Sequence, residues 1–313
     1  MADGDGIVSA LAGHLEDYLR LRRGLGFKLG RHGESLPGFV AYLEANNAAT
    51  VTVDLAVAWA CQPEDIKPIT VDFRISAVRG FARYLHAIDP AHEIPPRGLL
   101  AVPRRRPAPY IYTPDQISQV LRATRRLEPP LRAVTYRTLF GLLAATGMRQ
   151  GEATALTRTD VDLADGMITV RQAKFDRVRL VPLHPLVTAE LRGYATARDR
   201  LCPVASCDQF FVSVTGRPLR RGEVDQIFRD ITADLGLRTD TVHPRVHDMR
   251  HTFAVHTLLD WHGRGLDISA LLPVLSTYLG HVEPANTYWY LSAVPELMQL
   301  AAARLEHHER DRS

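Results

Sequence analysis

Leu11, Leu15, Tyr18, Leu19 and Leu21 recur near helical spacing between residues 7 and 30, with Arg20, Arg22, Arg23 and Lys28 among them. The pattern predicts a first helix, broken at Gly24-Leu25-Gly26. Phe39, Val40, Tyr42 and Leu43 predict a second helix over 34–45, and a third follows over 54–62 with Asp54 as its N-cap. In the fourth, over 70–88, Val71, Ile75, Val78, Ala82 and Leu85 share one face while Arg79 and Arg83 fall on the other.

The pattern then stops. Pro90, Pro95, Pro96, Pro103, Pro107 and Pro109 exclude regular structure, and Arg97, Arg104, Arg105 and Arg106 occur among them with a single acid, Glu93. The stretch is expected to be a basic linker, starting at about residue 89, between an N-terminal domain (1–106) and a second domain (107–313). A basic segment of this kind suits a protein that closes around a polyanion.

Periodicity resumes at Thr113-Pro114-Asp115-Gln116, an N-cap, a proline at the first helical position and a glutamine that completes a capping box. Helices are expected to about Arg125, over 131–145, over 150–156, over 185–200, over 221–235 and over 248–260. Between two of them Met167–Arg171 and Val178–Leu183 alternate as the strands of a hairpin, with Lys174 in the connection, and residues 210–219 resemble a short strand and turn. Arg149 falls at the turn Thr146-Gly147-Met148-Arg149, just before a helix start, where an anion is favoured. The expected fold is therefore mainly α: a helical N-terminal domain, then a mixed α/β domain that is mostly helical with a small hairpin sheet.

Composition narrows the function classes. The apolar runs 138–145 and 270–279 fall well short of the ~18 residues of a membrane span, and the start Met-Ala-Asp-Gly-Asp-Gly lacks signal-peptide features, so a cytoplasmic protein without membrane contact is expected. Cys61, Cys202 and Cys207 are too few for a disulfide framework and read as reduced thiols. A formal net charge of +3 does not by itself indicate nucleic acid; the clustering of the arginines is more telling.

The chemistry concentrates at His247-Asp248-Met249-Arg250-His251. His247 and His251 stand at i and i+4 like a zinc pair, but the intervening acid is the short Asp248, and Arg250 would set a permanent cation beside a dication. The competing reading pairs His247 with Arg250 at i and i+3, an imidazole and a guanidinium aimed together at an anion. No Walker-type phosphate loop and no carboxylate cluster of a two-metal nuclease is present, and no cofactor is expected.

Five motifs share an order: Ala145-Thr-Gly-Met-Arg149-Gln-Gly-Glu152, Lys174 ahead of Leu180-Val-Pro-Leu183, His247-Asp-Met-Arg250-His251, Leu279-Gly-His281, and Tyr290. Together they resemble the tyrosine recombinase (phage integrase) family over the whole second domain. The first domain is similar to the family's core-binding domain in position and size only. The resemblance implies that Arg149 and Arg250 grip the scissile phosphate, that Tyr290 is the nucleophile with Tyr288 as the competing candidate, and that His247 is the base. It further implies that Lys174 protonates the departing 5′-oxygen, His281 hydrogen-bonds the phosphate, and Glu152 orients Arg149. Arg79, Arg83, Arg104, Arg105 and Arg106 are candidate DNA contacts.

The reaction implied is site-specific recombination, integration or transposition through a 3′-phosphotyrosyl intermediate and a Holliday junction. The implied partners are double-stranded DNA sites and further copies of the chain in a tetrameric synapse. A helix over 295–305 with an apolar stripe would dock on a neighbouring protomer. The run Thr287-Tyr-Trp-Tyr290 is similar to members carried by transposons beside sister recombinases, which adds such sisters as partners. Two alternatives remain at this point: DNA relaxation of the type IB topoisomerase kind, and a DNA-binding accessory subunit. A zinc hydrolase is a distant third.

Overall fold

The computed structural model describes residues 4–27, 29–63, 65–99, 108–171, 178–280 and 287, with only the backbone of residues 4–9. The chain divides into two compact units, Met1–Arg106 and Pro107–Ser313.

The first unit packs four helices, α1 (Gly4–Gly24), α2 (Gly30–Ala45), α3 (Val53–Ala60) and α4 (Pro68–His86). Their apolar stripes meet in one core of Leu15, Leu36, Phe39, Leu43, Val78, Phe81 and Leu85. Each fully buried leucine or phenylalanine of this kind contributes roughly 1.5–3 kcal/mol. The first helix ends at Gly24, at the expected break, where Gly26 turns with φ 81° and Leu29 with φ 43° before α2 begins. The N-cap of α3 is Thr52, which accepts from the Leu55 N–H at 3.2 Å; Asp54 lies one residue inside the helix, in its first turn.

The first part of the proline-rich stretch is held against this unit. Glu93 donates its N–H to the Val51 carbonyl (2.7 Å), and its carboxylate accepts from the Val53 N–H (2.7 Å). The Arg79 guanidinium donates to the carbonyls of Pro95 (2.7 Å) and Pro96 (2.8 Å). Residues 90–99 thus follow no regular structure, as expected of their prolines, yet their backbone groups are stitched to α3 and α4.

The second unit contains α5 (Pro114–Ala123), α6 (Pro130–Thr146), α7 (Gln150–Ala155), α8 (Pro185–Leu201), α9 (Arg221–Asp234), α10 (Asp248–Gly263) and α11 (Ile268–Leu279). The Thr113–Gln116 capping box forms as its sequence predicts. A three-stranded antiparallel sheet runs β1 (Val161–Asp162), β2 (Met167–Arg171), β3 (Val178–Pro182), with Met167 opposite Pro182 and Arg171 opposite Val178. The hairpin strands are those expected; the two-residue β1 is an addition, too short to carry a pattern. Residues 210–219 contribute only an isolated bridge, Val212 to Pro218.

The core of this unit gathers Tyr136, Leu139, Phe140 and Leu143 of α6 with Ile168, Val181, Leu191 and Phe228. A smaller cluster of Ala254, Val255, Leu258, Leu272, Leu275 and Leu279 joins α10 to α11. The result is a mostly helical domain with a small sheet. Among the described residues no helix is long and apolar enough to cross a membrane.

Candidate active site

Two helix C-termini set the frame. α6 ends at Gly147 (φ 61°) and α11 at Gly280 (φ 68°), both left-handed caps that leave helical carbonyls pointing outward. A Cβ on Gly147 would stand 2.6 Å from Phe253 Cδ1 and 3.1 Å from Leu279 Cδ2, so the position requires glycine twice over, by conformation and by space. Phe253 and Tyr278 stack beside it with ring centroids 5.6 Å apart.

Three successive carbonyls at the end of α11 each receive a different arginine. Arg179 Nε donates to Tyr278 O (3.0 Å), Arg250 Nη2 to Leu279 O (2.7 Å) and Arg149 Nη2 to Gly280 O (2.9 Å). Arg250 also donates from Nη1 to Gly147 O at 2.8 Å. Cations at helix C-termini interact favourably with the carbonyl dipoles there, which offsets part of the cost of burying Arg250 to 2% exposure.

Arg149 is held from a second side. It precedes α7, its backbone N–H donates to Glu152 Oε2 (2.9 Å), and its Nη1 donates to Glu152 Oε1 (2.7 Å). Its bonds to Glu152 and Gly280 use two of five guanidinium donors, and the side chain keeps 38% exposure. The expectation that Glu152 orients Arg149 thus has a geometric counterpart.

Glu152 is shared. Arg179, in β3, donates Nη1 to Oε1 (3.1 Å) and Nη2 to Oε2 (2.6 Å), so one carboxylate lies between two guanidiniums. Burial alone would raise the carboxyl's pKa. The hydrogen bonds and charge of Arg179, followed by the bonds from Arg149, outweigh it and bring the pKa down to about 2. Sequence reading passed over Arg179 as a strand residue. The available signal was its place in the alternation: Arg179 and Val181 face inward, while the apolar Val178 and Leu180 are more than half exposed.

His247 opens α10 one turn ahead of Arg250. Its pKa is pushed down to about 4, first by desolvation, then by the charge of Arg250, with Arg245 and Arg149 adding and Asp248 opposing. The residue keeps exposed surface, and the lowered pKa makes it a neutral imidazole at pH 7, near both site arginines.

Asp248 and His251 act as framework. Asp248, 1% exposed, accepts from the Arg245 backbone N–H (2.8 Å) and from Arg245 Nη2 (2.9 Å), repeating the arrangement of Arg149 with Glu152. The Tyr112 hydroxyl adds a bond to Arg245 O (3.2 Å). The His247 and His251 rings meet edge to face at 4.7 Å. Among the described residues no three His, Cys, Asp or Glu side chains group as metal ligands.

Of the residues expected in the site, Arg149, Glu152 and Arg250 come together around the ends of α6 and α11, and His247 lies near enough for the charges of both arginines to act on it. Lys174, His281, Tyr288 and Tyr290 lie outside the described residues, as do Arg104, Arg105, Arg106 and the 295–305 helix. Arg83 is exposed on α4, and Arg79 is partly buried against the proline-rich stretch.

The model of the phage integrase family matches residues 111–296. The chain is 43% identical over 309 residues, 96% of its own length and 98% of the relative's, to the putative integrase/recombinase y4rB of Sinorhizobium fredii (strain NBRC 101917 / NGR234). The chain belongs to the phage integrase family, the tyrosine recombinases. A second putative integrase/recombinase of the same Sinorhizobium strain, y4rE, is 34% identical over 93% of this chain and 94% of that relative. The fold of this recombinase is similar to that of the Tn1549 transposon integrase solved in complex with a circular intermediate DNA, with a TM-score of 0.67 at 16% identity over 93% of this chain and 99% of the other.

Proposed function

We propose that this tyrosine recombinase cleaves and rejoins DNA at specific sites, with Arg149, Arg250 and His247 as the described part of its active centre. The observation that carries the assignment is the convergence of two guanidiniums on the C-termini of α6 and α11, with the His247 imidazole near enough for both charges to act on it. Attack on a phosphodiester builds negative charge on the nonbridging oxygens of the crowded phosphorane. Arginines fixed in advance meet that charge without reorganisation, and losing one such donor costs roughly 3–4 kcal/mol.

In this reading the Tyr290 hydroxyl attacks phosphorus and gives its proton to neutral His247. A phosphotyrosyl ester forms at the 3′ end, the bond to the 5′-oxygen breaks, and Lys174 supplies the proton that oxygen takes. His281 hydrogen-bonds the phosphate, and the ester conserves the energy of the broken bond, so rejoining needs no nucleotide. Phenol, with an ordinary pKa of about 10, requires such a base at neutral pH. Arg83 and the basic stretch 104–106 serve as phosphate contacts in the N-terminal half.

The partners proposed are double-stranded DNA sites and further copies of the chain in a tetrameric synapse. Sister recombinases are proposed as well, a reading supported by the two similar recombinases found in one Sinorhizobium strain. The test uses nicked suicide duplexes tiled over the DNA that borders the coding region. A covalent protein–DNA adduct that is lost in Tyr290→Phe, kept in Tyr288→Phe and indifferent to EDTA is the expected result. Adduct formation by Tyr290→Phe at the wild-type rate would overturn the assignment of the nucleophile.

A further inference from the structure

Arg179 takes no part in the chemistry above, yet its guanidinium makes three hydrogen bonds in the site. Its three donor nitrogens all point at one structure: Nη1 and Nη2 at the two oxygens of Glu152, and Nε at the carbonyl of Tyr278. The side chain is 12% exposed, as is Glu152. A guanidinium this enclosed has lost most of its hydration and recovers it only through these fixed partners. On a surface hairpin whose neighbouring Val178 and Leu180 are exposed, a buried arginine is a costly choice unless it holds something in place.

What it holds is Arg149. Glu152 binds Arg149 twice, through the backbone N–H and through Nη1. With Arg179 on its other side, the carboxylate is held by four hydrogen bonds. Remove Arg179, and Glu152 keeps a single partner and no cation on the far side; it is then free to turn toward solvent with Arg149 following. Because Arg149 also bonds to Gly280, two residues beyond the Tyr278 carbonyl that receives Arg179, both arginines reference the same end of α11. We propose that Arg179 is a positioning residue for strand cleavage, which sets the Arg149 guanidinium against the scissile phosphate through the Glu152 carboxylate and the end of α11.

The proposal rests on the reading of Arg149 as a phosphate ligand, and the experiment separates the two. Full-length wild type, Arg179→Ala, Arg179→Lys and Arg149→Ala are each given two nicked suicide duplexes. The duplexes are identical except that one carries a methylphosphonate at the scissile position, where a methyl group replaces one nonbridging oxygen and removes the negative charge. A neutral phosphate no longer depends on an aligned guanidinium. The quantity read is the ratio of the two adduct rates within each variant, which does not change with the fraction of protein that is folded.

On the phosphodiester, Arg179→Ala is expected to form adduct roughly 100-fold more slowly than wild type, as when a fixed donor is lost. On the methylphosphonate it is expected to fall within about tenfold of wild type, as is Arg149→Ala. Arg179→Lys, which cannot span both carboxylate oxygens and the Tyr278 carbonyl, is expected in between. Equal losses on the two duplexes for Arg179→Ala, with relief seen for Arg149→Ala, would overturn the proposal and leave the reading of Arg149 intact. An unchanged rate for Arg179→Ala on the phosphodiester would also overturn it. No relief for Arg149→Ala would remove the reading of Arg149 and this proposal with it.

Discussion

Arg250 Nη1 donates to the carbonyl of Gly147 at 2.8 Å, so the cap of α6 and a guanidinium of the proposed active centre share one hydrogen bond. Gly147 has φ 61°, and its α-carbon faces the Phe253 ring and Leu279 too closely for a methyl group. Gly147→Ala is expected to cost about 1–2 kcal/mol for the left-handed conformation, with a further cost for displacing the ring. The substitution should lower the midpoint of thermal unfolding and slow adduct formation together. Adding Phe253→Ala to Gly147→Ala removes the clash but not the strained φ, so the double variant should recover part of the rate. A Gly147→Ala protein with wild-type stability and rate would mean that Arg250 is positioned by other contacts.

Glu152 makes stability depend on acid. Its folded pKa of about 2 lies below the unfolded value of 4.5, so the folded state binds the proton less readily. The contribution is complete above about pH 4.5 and is lost as pH falls toward 2. The linked free energy is on the order of 3 kcal/mol. Denaturant unfolding of wild type and Glu152→Gln between pH 6 and 3 checks this. Wild type should lose stability more steeply across that interval, and the variant should be less stable at pH 6. Parallel curves would show that the carboxylate's charge contributes nothing.

His247 predicts an unusual pH profile. With its pKa near 4 in the free protein, the working neutral form persists well below the ordinary 6.5 of histidine. Adduct rates at subsaturating DNA report the free enzyme. They should therefore be flat from pH 8 to about 5.5 on account of this residue and bend only as pH approaches the His247 value. His247→Ala should slow the reaction by about 100-fold or more at every pH in that range. An acid limb centred at pH 6.5 that disappears in His247→Ala would show an ordinary histidine and contradict the electrostatic setting described.

Sequence alone made most helices legible where one face was apolar, though it passed over α11 (Ile268–Leu279), an apolar run with Pro273 inside it, and the hairpin was legible because Met167–Arg171 and Val178–Pro182 alternate. Sequence also favoured the couple of His247 and Arg250 over a metal pair because Arg250 would set a permanent cation beside a dication, not because of spacing: His251, four residues on, shares the face and its ring meets that of His247. It missed Arg179, because a single charged residue in an alternating strand looks like a solvated position until the facing carboxylate is known. Arg245, which holds Asp248 through a contact three residues apart, was missed because it lies ahead of α10, where no periodic pattern marks a charged residue's partner. Most informative was the end of α11. No pattern marks its carbonyls as partners, since every helix ends with open carbonyls, and only the packing of β3, α7 and α10 around one terminus brings three arginines to them. Arg79, a cation on the polar face of α4, donates from two nitrogens to the carbonyls of Pro95 and Pro96, a tie to the proline-rich stretch that helical spacing does not reveal.

His92 offers a last test in the N-terminal unit. It is 6% exposed, and its Nδ1 accepts the Val51 N–H at 3.0 Å, so the neutral ring carries its proton on Nε2. Burial lowers its pKa first; His14 and His86 add to the shift and Asp89 opposes it. Its carbonyl also lies 2.6 Å from His86 Nδ1. Because the folded pKa is below the unfolded one, the unfolded chain binds more protons in the acid range, and stability falls as pH drops below about 6.5. Protonation at Nδ1 also removes the acceptor for Val51, a bond worth roughly 1 kcal/mol. The neighbouring pair, Glu93 N–H to Val51 O and Val53 N–H to the Glu93 carboxylate, is anchored by the same turn. Amide hydrogen exchange at Val51 and Val53, corrected for intrinsic rates, should therefore quicken between pH 7 and 5 more than at Leu43 in the α2 core. In His92→Gln the side-chain oxygen can accept the Val51 N–H without titrating, and that acceleration should disappear. If the two amides keep their pH response in His92→Gln, the response does not come from the His92 imidazole, and its bond to the Val51 N–H is not what protects these amides.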